Sequence, residues 1–142
     1  MPKHQSAVRT LVLSGLAERW GTVDTSLNHD LDDIASSYAT GTVLIAVRRG
    51  SVVGTGAVVP RDRDTAEILR MSVARSERRN GIGRMLVVAL IEVARSWAAQ
   101  RVICETSSHW TSAVELYVSC GFRIDHEEHS DFGRDTYFAF DL

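Results

Sequence analysis

The sequence has few of the features that mark secreted, membrane-spanning or nucleic-acid-binding proteins. Its 142 residues include two cysteines, and two isolated cysteines support neither a disulfide framework nor a zinc site. No apolar run approaches the roughly 20 residues of a membrane span. The net charge is −2, whereas nucleic-acid-binding domains usually carry a basic excess. The opening M-P-K-H-Q-S lacks an apolar signal-peptide core, so we expect a cytoplasmic protein.

The composition that is present is typical of one globular domain. Hydrophobic residues make up 44% of the chain and charged residues 24%, which is ordinary for such a domain. A chain of this length can bury about 70% of the surface that it exposes when unfolded. The sequence contains no repeat, linker or low-complexity segment. We therefore expect residues 1–142 to form a single domain.

Hydrophobic periodicity predicts helices first, then three strands, then alternating helices and strands. The predicted helices cover Ser6–Trp20, a short segment through Leu31, Ile34 and Tyr38, Gly83–Ala99, and Thr111–Cys120. The predicted strands cover Thr42–Val47, Val52–Val59, Thr65–Ala74, Arg101–Thr106, Phe122–His126 and Thr136–Asp141. A strand, a helix and a strand in succession predict a right-handed crossover between parallel strands. This order indicates an α/β protein with a mixed, mostly antiparallel, twisted sheet flanked by helices.

The segment Arg70–Arg84 is the most informative in the chain. It reads as a strand end, a basic turn with two glycines and the start of a helix. The unpaired N–H groups and the positive dipole end at the start of a helix bind phosphate well. The segment lacks the third glycine of a dinucleotide fingerprint and the G-K-S/T of a P-loop. On these residues alone, a glycine-containing turn that merely starts a helix stays open as an alternative.

Three segments resemble the GNAT N-acetyltransferase superfamily. Arg78, Gly81 and Gly83 fill the fixed positions of its R/Q-x-x-G-x-G/A signature, which follows a strand ending in Met71-Ser72-Val73. The segment Ala113–Phe122 resembles the family's A-I/V-x-L-Y-x-x-x-G-F motif, and Glu67 stands on a strand at the distance before the loop where several members carry a general base. The predicted element order matches this fold over nearly the full length.

The resemblance implies that the chain binds acetyl-CoA as its cosubstrate. Strand amides would hold the pantetheine and supply an oxyanion donor, while loop N–H groups would bind the pyrophosphate and Arg78 would close the loop or touch phosphate. The implied coenzyme-binding residues are Met71, Ser72, Val73, Arg78, Arg79, Asn80, Gly81, Ile82, Gly83 and Arg84.

The resemblance also implies direct acetyl transfer to an amine of a small molecule or peptide, with Glu67 as base and Tyr117 as acid. The amine must lose a proton before it attacks, so a base is needed. In a regular strand, Glu67 would share a face with Leu69, Met71 and Val73, and these apolar neighbours would make it a better base. Two alternatives stay open: Glu67 as a solvated residue paired with an arginine, and Tyr117 as a core aromatic.

The sequence departs from the family at two places. Members usually open with a strand, and here only about five residues precede the first helix, so that strand is expected to be missing. Residues 42–47 would then form a sheet edge that is exposed or covered by a partner, such as a second copy in a homodimer. Trp110 stands where the family often has asparagine, which puts any coenzyme contact of that asparagine in doubt.

The remaining polar clusters carry weaker indications. His126-Glu127-Glu128-His129 is not the helical H-E-x-x-H motif, so no metal is expected. Asp30, Asp32 and Asp33 suggest a cationic acceptor amine. Two alternatives to an enzyme are a non-catalytic acyl-CoA-binding sensor, which would keep the loop without a working acceptor site, and an interaction module that keeps only the fold.

Overall fold

The computed structural model describes residues 4–20, 30, 32–34, 38–131 and 133–142, and within the first of these ranges the side chains as far as residue 14. The segment 21–29 between the first two predicted helices lies outside these residues, as do Leu31 and residues 35–37 of the predicted second helix. Phe132 also lies outside them. Among the described residues, no helix is long and apolar enough to cross a membrane.

The described residues form six strands and three main helices. In chain order these are α1 (Gln5–Trp20), β1 (Thr42–Arg48), β2 (Ser51–Pro60), β3 (Thr65–Val73), α2 (Ile82–Ser96), β4 (Arg101–Ser107), α3 (Thr111–Ser119), β5 (Arg123–Ser130) and β6 (Gly133–Asp141). A short 3-10 turn, Arg75–Glu77, lies between β3 and α2.

The strands form one open sheet in the order β1-β2-β3-β4-β6-β5. Only the β3–β4 pair is parallel, because α2 carries the chain across between them. The four other neighbouring pairs are antiparallel. The predicted mixed, mostly antiparallel sheet is therefore confirmed.

The larger core lies between the sheet and α2. This helix buries residues spaced three and four apart, the pattern of an amphipathic helix packed on a sheet. They meet inward-facing side chains of the central strands, and the buried set includes Val58, Ile68, Val87, Leu90, Val102, Cys104 and Phe138. The predicted helix ran on to residue 99, but α2 ends at Ser96 because Ala98 adopts a φ of 60°.

A smaller core lies on the opposite face of the sheet, under α1. Val8, Val12 and Ile34 are buried there. The Gln5 side chain ties α1 to the segment around Ile34: its Nε2 donates to the Asp32 carbonyl at 3.3 Å, and its Oε1 accepts from the Ile34 N–H at 2.8 Å. The start of α1 and the described residues around Ile34 are thereby held together on this face of the sheet.

The two edges of the sheet differ in character. Within the described part of the chain, β1 pairs with β2 alone, which agrees with the expected edge. The other edge, β5, is exposed along its whole length and rich in charge, a composition that discourages pairing with other strands. The β5–β6 hairpin is longer than predicted, because polar residues fit a strand exposed on both faces. Gly133, with a φ of 115°, closes its turn.

Candidate active site

The central feature of the site is a gap between β3 and β4. These strands pair only from Thr65–Glu67 to Arg101–Ile103, although β3 continues to Val73 and β4 to Ser107. Beyond Glu67 and Ile103 the two strands separate, and we call the space between residues 68–73 and 104–107 the wedge. Backbone groups that face the wedge are not used by β3–β4 pairing, so they can bind an extended ligand as a neighbouring strand would.

A β-bulge in β3 shapes one side of the wedge. Leu69 lies opposite Ala57 and Ser72 opposite Thr55, so Arg70 and Met71 together face Gly56. Arg70 has a φ of 56°. An extra residue of this kind reverses the alternation of a strand.

The bulge overturns the expected grouping of side chains around Glu67. Glu67 and Leu69, which precede the bulge, lie on the α1 face of the sheet. Ser72, which follows the bulge, lies on the same face, and its Oγ donates to the Leu11 carbonyl at 3.3 Å. Met71 lies on the α2 face, where a Cβ added to Gly56 would meet both its sulfur and Leu90. The prediction that Glu67 shares a face with Met71 and Val73 is therefore wrong, because it assumed a regular strand.

The same bulge decides which backbone groups point into the wedge. The Thr65 carbonyl accepts from Arg61 on the β2 side, and after the bulge the Ala74 N–H donates to Val53 on that side, at 2.9 and 2.7 Å. Backbone groups alternate between the two edges of a strand. The N–H groups of Met71 and Val73 therefore point to the opposite edge, into the wedge. Without the bulge they would point toward β2.

An ion pair binds the side chain of the bulge residue. Arg70 donates from Nε and Nη2 to the two oxygens of Asp30, at 2.9 and 2.7 Å, and the Tyr38 hydroxyl donates to the same carboxylate. Partial burial alone would raise the pKa of Asp30, but the hydrogen bonds from Arg70 and Tyr38 outweigh it and hold that pKa below its ordinary value. Burial and the bond to Asp30 raise the pKa of Tyr38 to about 12.

This cluster was missed as part of the site from sequence. A left-handed φ in a residue other than glycine is unfavourable by roughly 1–3 kcal/mol and persists only where surrounding contacts enforce it. The one available signal was the charge of Arg70 between the apolar residues Leu69 and Met71 of β3. Both oxygens of Asp30 bind Arg70, so the suggestion from sequence that Asp30 attracts a cationic amine loses support.

The loop between β3 and α2 forms the second part of the site. Gly81 has a φ of 80° and directly precedes the helix. The first bond within α2 runs from the Met85 N–H to the Gly81 carbonyl at 3.0 Å, so the N–H groups of Ile82, Gly83 and Arg84 have no acceptor inside the helix. A Cβ at Gly81 would meet nothing within 4 Å. The space on this side of Gly81 is therefore open.

Side chains of the loop hold it in place. Arg78 Nε donates to the Val73 carbonyl at 3.2 Å, as expected of a residue that closes the loop. Glu77 accepts from Arg48 at 2.8 Å and from Asn80 at 3.5 Å, which links the loop to the end of β1. These side-chain contacts fix the position of the loop.

The start of α2 is also fixed against α3. Arg84 donates to the Ser119 carbonyl at 3.0 Å. A Cβ at Gly83 would lie 3.2 Å from a Leu116 methyl, so this glycine allows close packing of the two helices. Trp110 directly precedes α3, and its indole N–H donates to the Ser112 hydroxyl.

Glu67 lies at the apex of the wedge. It is the last β3 residue paired with β4, and its side chain is 14% exposed and forms an ion pair with Arg61. Pairing with an arginine is the alternative to a catalytic role that the sequence left open for Glu67. The ion pair fits a structural role for Glu67, and its position at the apex fits a base acting in the wedge.

Tyr117 lies in the core below the wedge. It is 5% exposed, and its ring centroid lies 5.6 Å from that of Phe122 and 5.4 Å from that of Phe138. Cys104 belongs to the same cluster, and burial raises the pKa of its thiol well above the usual range. The cysteine is therefore a poor nucleophile at neutral pH.

Polar side chains of β4, β5 and β6 contact one another beside the wedge. A hydrogen bond with Glu105 raises the pKa of Tyr137 to about 12. The His126 ring stacks on Tyr137 at 4.5 Å, and its nitrogens lie 2.7 Å from Asp125 and 3.1 Å from Glu128. The bond with Asp125 raises the pKa of His126. Among the described residues, no cluster of three or more metal-ligating side chains is present.

Comparisons with known proteins identify the family of the chain. The profile of the acetyltransferase (GNAT) family matches residues 8–122. N-acetyltransferase 8F1 of Rattus norvegicus is 33% identical over 108 residues, which cover 71% of this chain and 49% of the relative. N-acetylaspartate synthetase of Danio rerio is 37% identical over 105 residues, covering 71% of this chain and 37% of the relative. The chain thus spans about half or less of the length of these curated relatives.

Solved structures share the fold. A GNAT-family acetyltransferase of Staphylococcus aureus superimposes with a TM-score of 0.87 at 19% identity, over 100% of this chain and 95% of the other. A GNAT-family acetyltransferase of Elizabethkingia anophelis with acetyl-CoA bound gives 0.69 at 22% identity, over 77% and 82%. A Bacillus subtilis acetyltransferase in complex with CoA gives 0.69 at 25% identity, over 78% and 83%.

Proposed function

Because the chain belongs to the acetyltransferase (GNAT) family, we propose that it transfers an acetyl group from acetyl-CoA directly to a primary amine of a small molecule or peptide. The proposal treats residues 1–142 as one acetyltransferase domain. It is carried by one observation: the wedge, with the N–H groups of Met71 and Val73 pointing into it, runs into the open N-terminus of α2.

The residues present fit acetyl-CoA. The coenzyme would supply the acetyl thioester, and the edge of β3 from Met71 to Val73 would bind its pantetheine by backbone hydrogen bonds. The N–H groups from Arg79 to Arg84 would bind the pyrophosphate, helped by the dipole of α2. The open space in front of Gly81 gives the phosphates room to approach this backbone.

Two proton transfers accompany the reaction. The amine nitrogen forms a bond to the acetyl carbon and loses a proton, and the carbon–sulfur bond breaks as the sulfur gains one. Glu67, at the apex of the wedge, would accept the amine proton directly or through water. The Tyr117 phenol would donate to the sulfur. A backbone N–H of the Met71–Val73 segment would stabilise the developing oxyanion.

The acceptor is proposed as a class only. The names of the rat and zebrafish relatives refer to N-acetylation, and one names an N-acetylated amino acid as its product. These names support an amine acceptor for this chain. The proposal also includes a cytoplasmic location, which the two free cysteines support because oxidising compartments favour disulfides.

Calorimetric titration with acetyl-CoA, CoA and dephospho-CoA tests the coenzyme site, and an amine panel with detection of released thiol tests the transfer. We expect micromolar binding of acetyl-CoA and amine-dependent thiol release. Absence of binding would refute the wedge as a coenzyme site.

The second candidate is a non-catalytic acyl-CoA sensor. The Arg61–Glu67 ion pair and the packing of Tyr117 among phenylalanines favour it, because both residues then serve the fold alone. Tight binding of acetyl-CoA with no transfer to any amine of the panel would select this candidate over the enzyme.

We also propose that a second copy of the chain pairs with the β1 edge, which has β2 as its one partner among the described residues. Sedimentation at several protein concentrations tests this. A concentration-dependent dimer is expected, and a strict monomer would contradict it.

A further inference from the structure

We propose that Asp30 is a positioning residue of the acetyl-transfer site: by binding Arg70, it holds the bulge of β3 in the form that points the Met71 and Val73 N–H groups into the wedge. The inference rests on the proposed function for its catalytic meaning. Its structural content, that Asp30 controls the conformation of the bulge, stands by itself.

The bulge needs an external contact because its residue is not glycine. Four non-glycine residues of the described chain have a positive φ, and Arg70 alone lies inside a strand. A positive φ is sterically unfavourable for arginine, as it is for other residues that carry a Cβ. The contact available to compensate is the two-fold hydrogen bond of the Arg70 guanidinium to the Asp30 carboxylate. Paired bonds of this type fix orientation as well as distance.

Asp30 is itself held firmly enough to act as an anchor. Tyr38 donates to the same carboxylate, and the nearby backbone at Asp32 and Ile34 is bound to the Gln5 side chain of α1. The anchor is thus connected to a packed helix. Movement of Arg70 would have to break both guanidinium bonds and would leave a partly buried charge without its partner.

Loss of this anchor would have a defined consequence for the site. If the bulge relaxed to a regular strand, the N–H groups of Met71 and Val73 would point toward β2, and other N–H groups would point into the wedge. It also changes the side-chain face of every residue on one side of Arg70. Coenzyme binding and the orientation of Glu67 relative to the wedge would then change together.

Substitutions of Arg70 and Asp30 test this inference. Arg70→Gly removes the ion pair but also removes the need for it, because glycine adopts a positive φ readily. Arg70→Val removes the ion pair and is the least compatible with that φ, since it is β-branched. Asp30→Asn removes the negative charge and one of the two acceptor oxygens, and leaves Arg70 in place. Asp141→Asn, which breaks an exposed carboxylate–arginine pair with Arg123 at the far end of β6, is the matched control.

We expect Arg70→Val and Asp30→Asn to lower kcat/KM for acetyl-CoA by about 3- to 10-fold for each hydrogen bond lost. Arg70→Gly should stay within about threefold of the wild type, and adding Asp30→Asn to it should change little, because coupled residues are not additive. Asp141→Asn should match the wild type. Thermal melts of each variant establish that the comparison is between folded proteins.

Equal loss in Arg70→Gly and Arg70→Val, or full activity of Asp30→Asn, would overturn the inference. Backbone NMR of ¹⁵N-labelled protein gives a second readout that needs no activity. Asp30→Asn should shift the amide resonances of residues 69–73, and Asp141→Asn should not. Unchanged resonances would overturn the inference even if the wild type transfers no acetyl group, whereas shifted resonances with an inactive wild type would refute the proposed function alone.

Discussion

Replacing Gly81 by alanine should separate backbone strain from ligand binding at the start of α2. The residue has a φ of 80°, and an added Cβ would meet nothing within 4 Å. The variant should therefore lose stability only through the unfavourable left-handed conformation, about 1–2 kcal/mol. The added methyl would project into the space where the phosphates are proposed to approach. A lost charge-assisted hydrogen bond there would weaken acetyl-CoA binding tenfold or more, about 1.5–3 kcal/mol.

Gly50 is a close match for Gly81 as a control. It also has a φ of 80° with nothing within 4 Å of an added Cβ, and it lies in the turn between β1 and β2. Gly50→Ala should lower the free energy of unfolding by the same amount, measured by urea denaturation. Calorimetry should find its affinity for acetyl-CoA unchanged.

The comparison between the two glycine variants can refute the reasoning. If Gly81→Ala binds acetyl-CoA as tightly as Gly50→Ala, the start of α2 is not the phosphate site and Gly81 serves only the turn. If both variants lose binding equally, backbone strain accounts for the effect and the proposed approach of phosphate is contradicted.

Three further predictions concern individual side chains. Glu67→Gln should lower kcat on the order of 100-fold or more and leave acetyl-CoA affinity nearly unchanged; steady-state kinetics that match the wild type would exclude it as the base. Tyr117→Phe should likewise reduce turnover more than affinity, and an equal loss of both would assign the hydroxyl to packing. The raised pKa of His126 means that its pairing with Asp125 stabilises the fold fully below pH 6.5 and that this contribution is lost as pH rises through the folded-state pKa. The difference in unfolding free energy between wild type and His126→Gln should therefore shrink above pH 6.5, and a difference constant from pH 5 to 9 would contradict it.

Most of the fold could be predicted from local sequence patterns. The apolar positions of α2 recur at helical spacing, and the β-branched runs of β1 and β2 alternate with short turns, so each element is determined by its neighbours in sequence. The β5–β6 hairpin was underestimated because its edge strand is polar on both faces. A strand of that kind is stabilised by pairing with β6, which composition does not reveal.

The shape of the site depends on contacts between distant residues. Arg70 and Asp30 are 40 positions apart, and no periodicity links them. The bulge at Arg70 reverses the alternation of side chains along β3. The predicted grouping of Glu67 with Met71 was therefore wrong, although every residue of β3 was correctly predicted to lie in a strand. The separation of β3 and β4 is likewise a tertiary property. The glycine loop, by contrast, could be proposed as a phosphate site from sequence because its residues are consecutive.

The most direct test of the account is acetyl transfer by the wild-type protein. Acetyl-CoA is supplied with a panel of small-molecule and peptide amines, and released thiol is quantified together with the mass of the amine product. The account predicts thiol release that depends on an amine and equals the amount of N-acetylated product. Binding of acetyl-CoA without transfer to any amine would contradict the enzyme and favour the sensor, and absence of binding would contradict the assignment of the wedge itself.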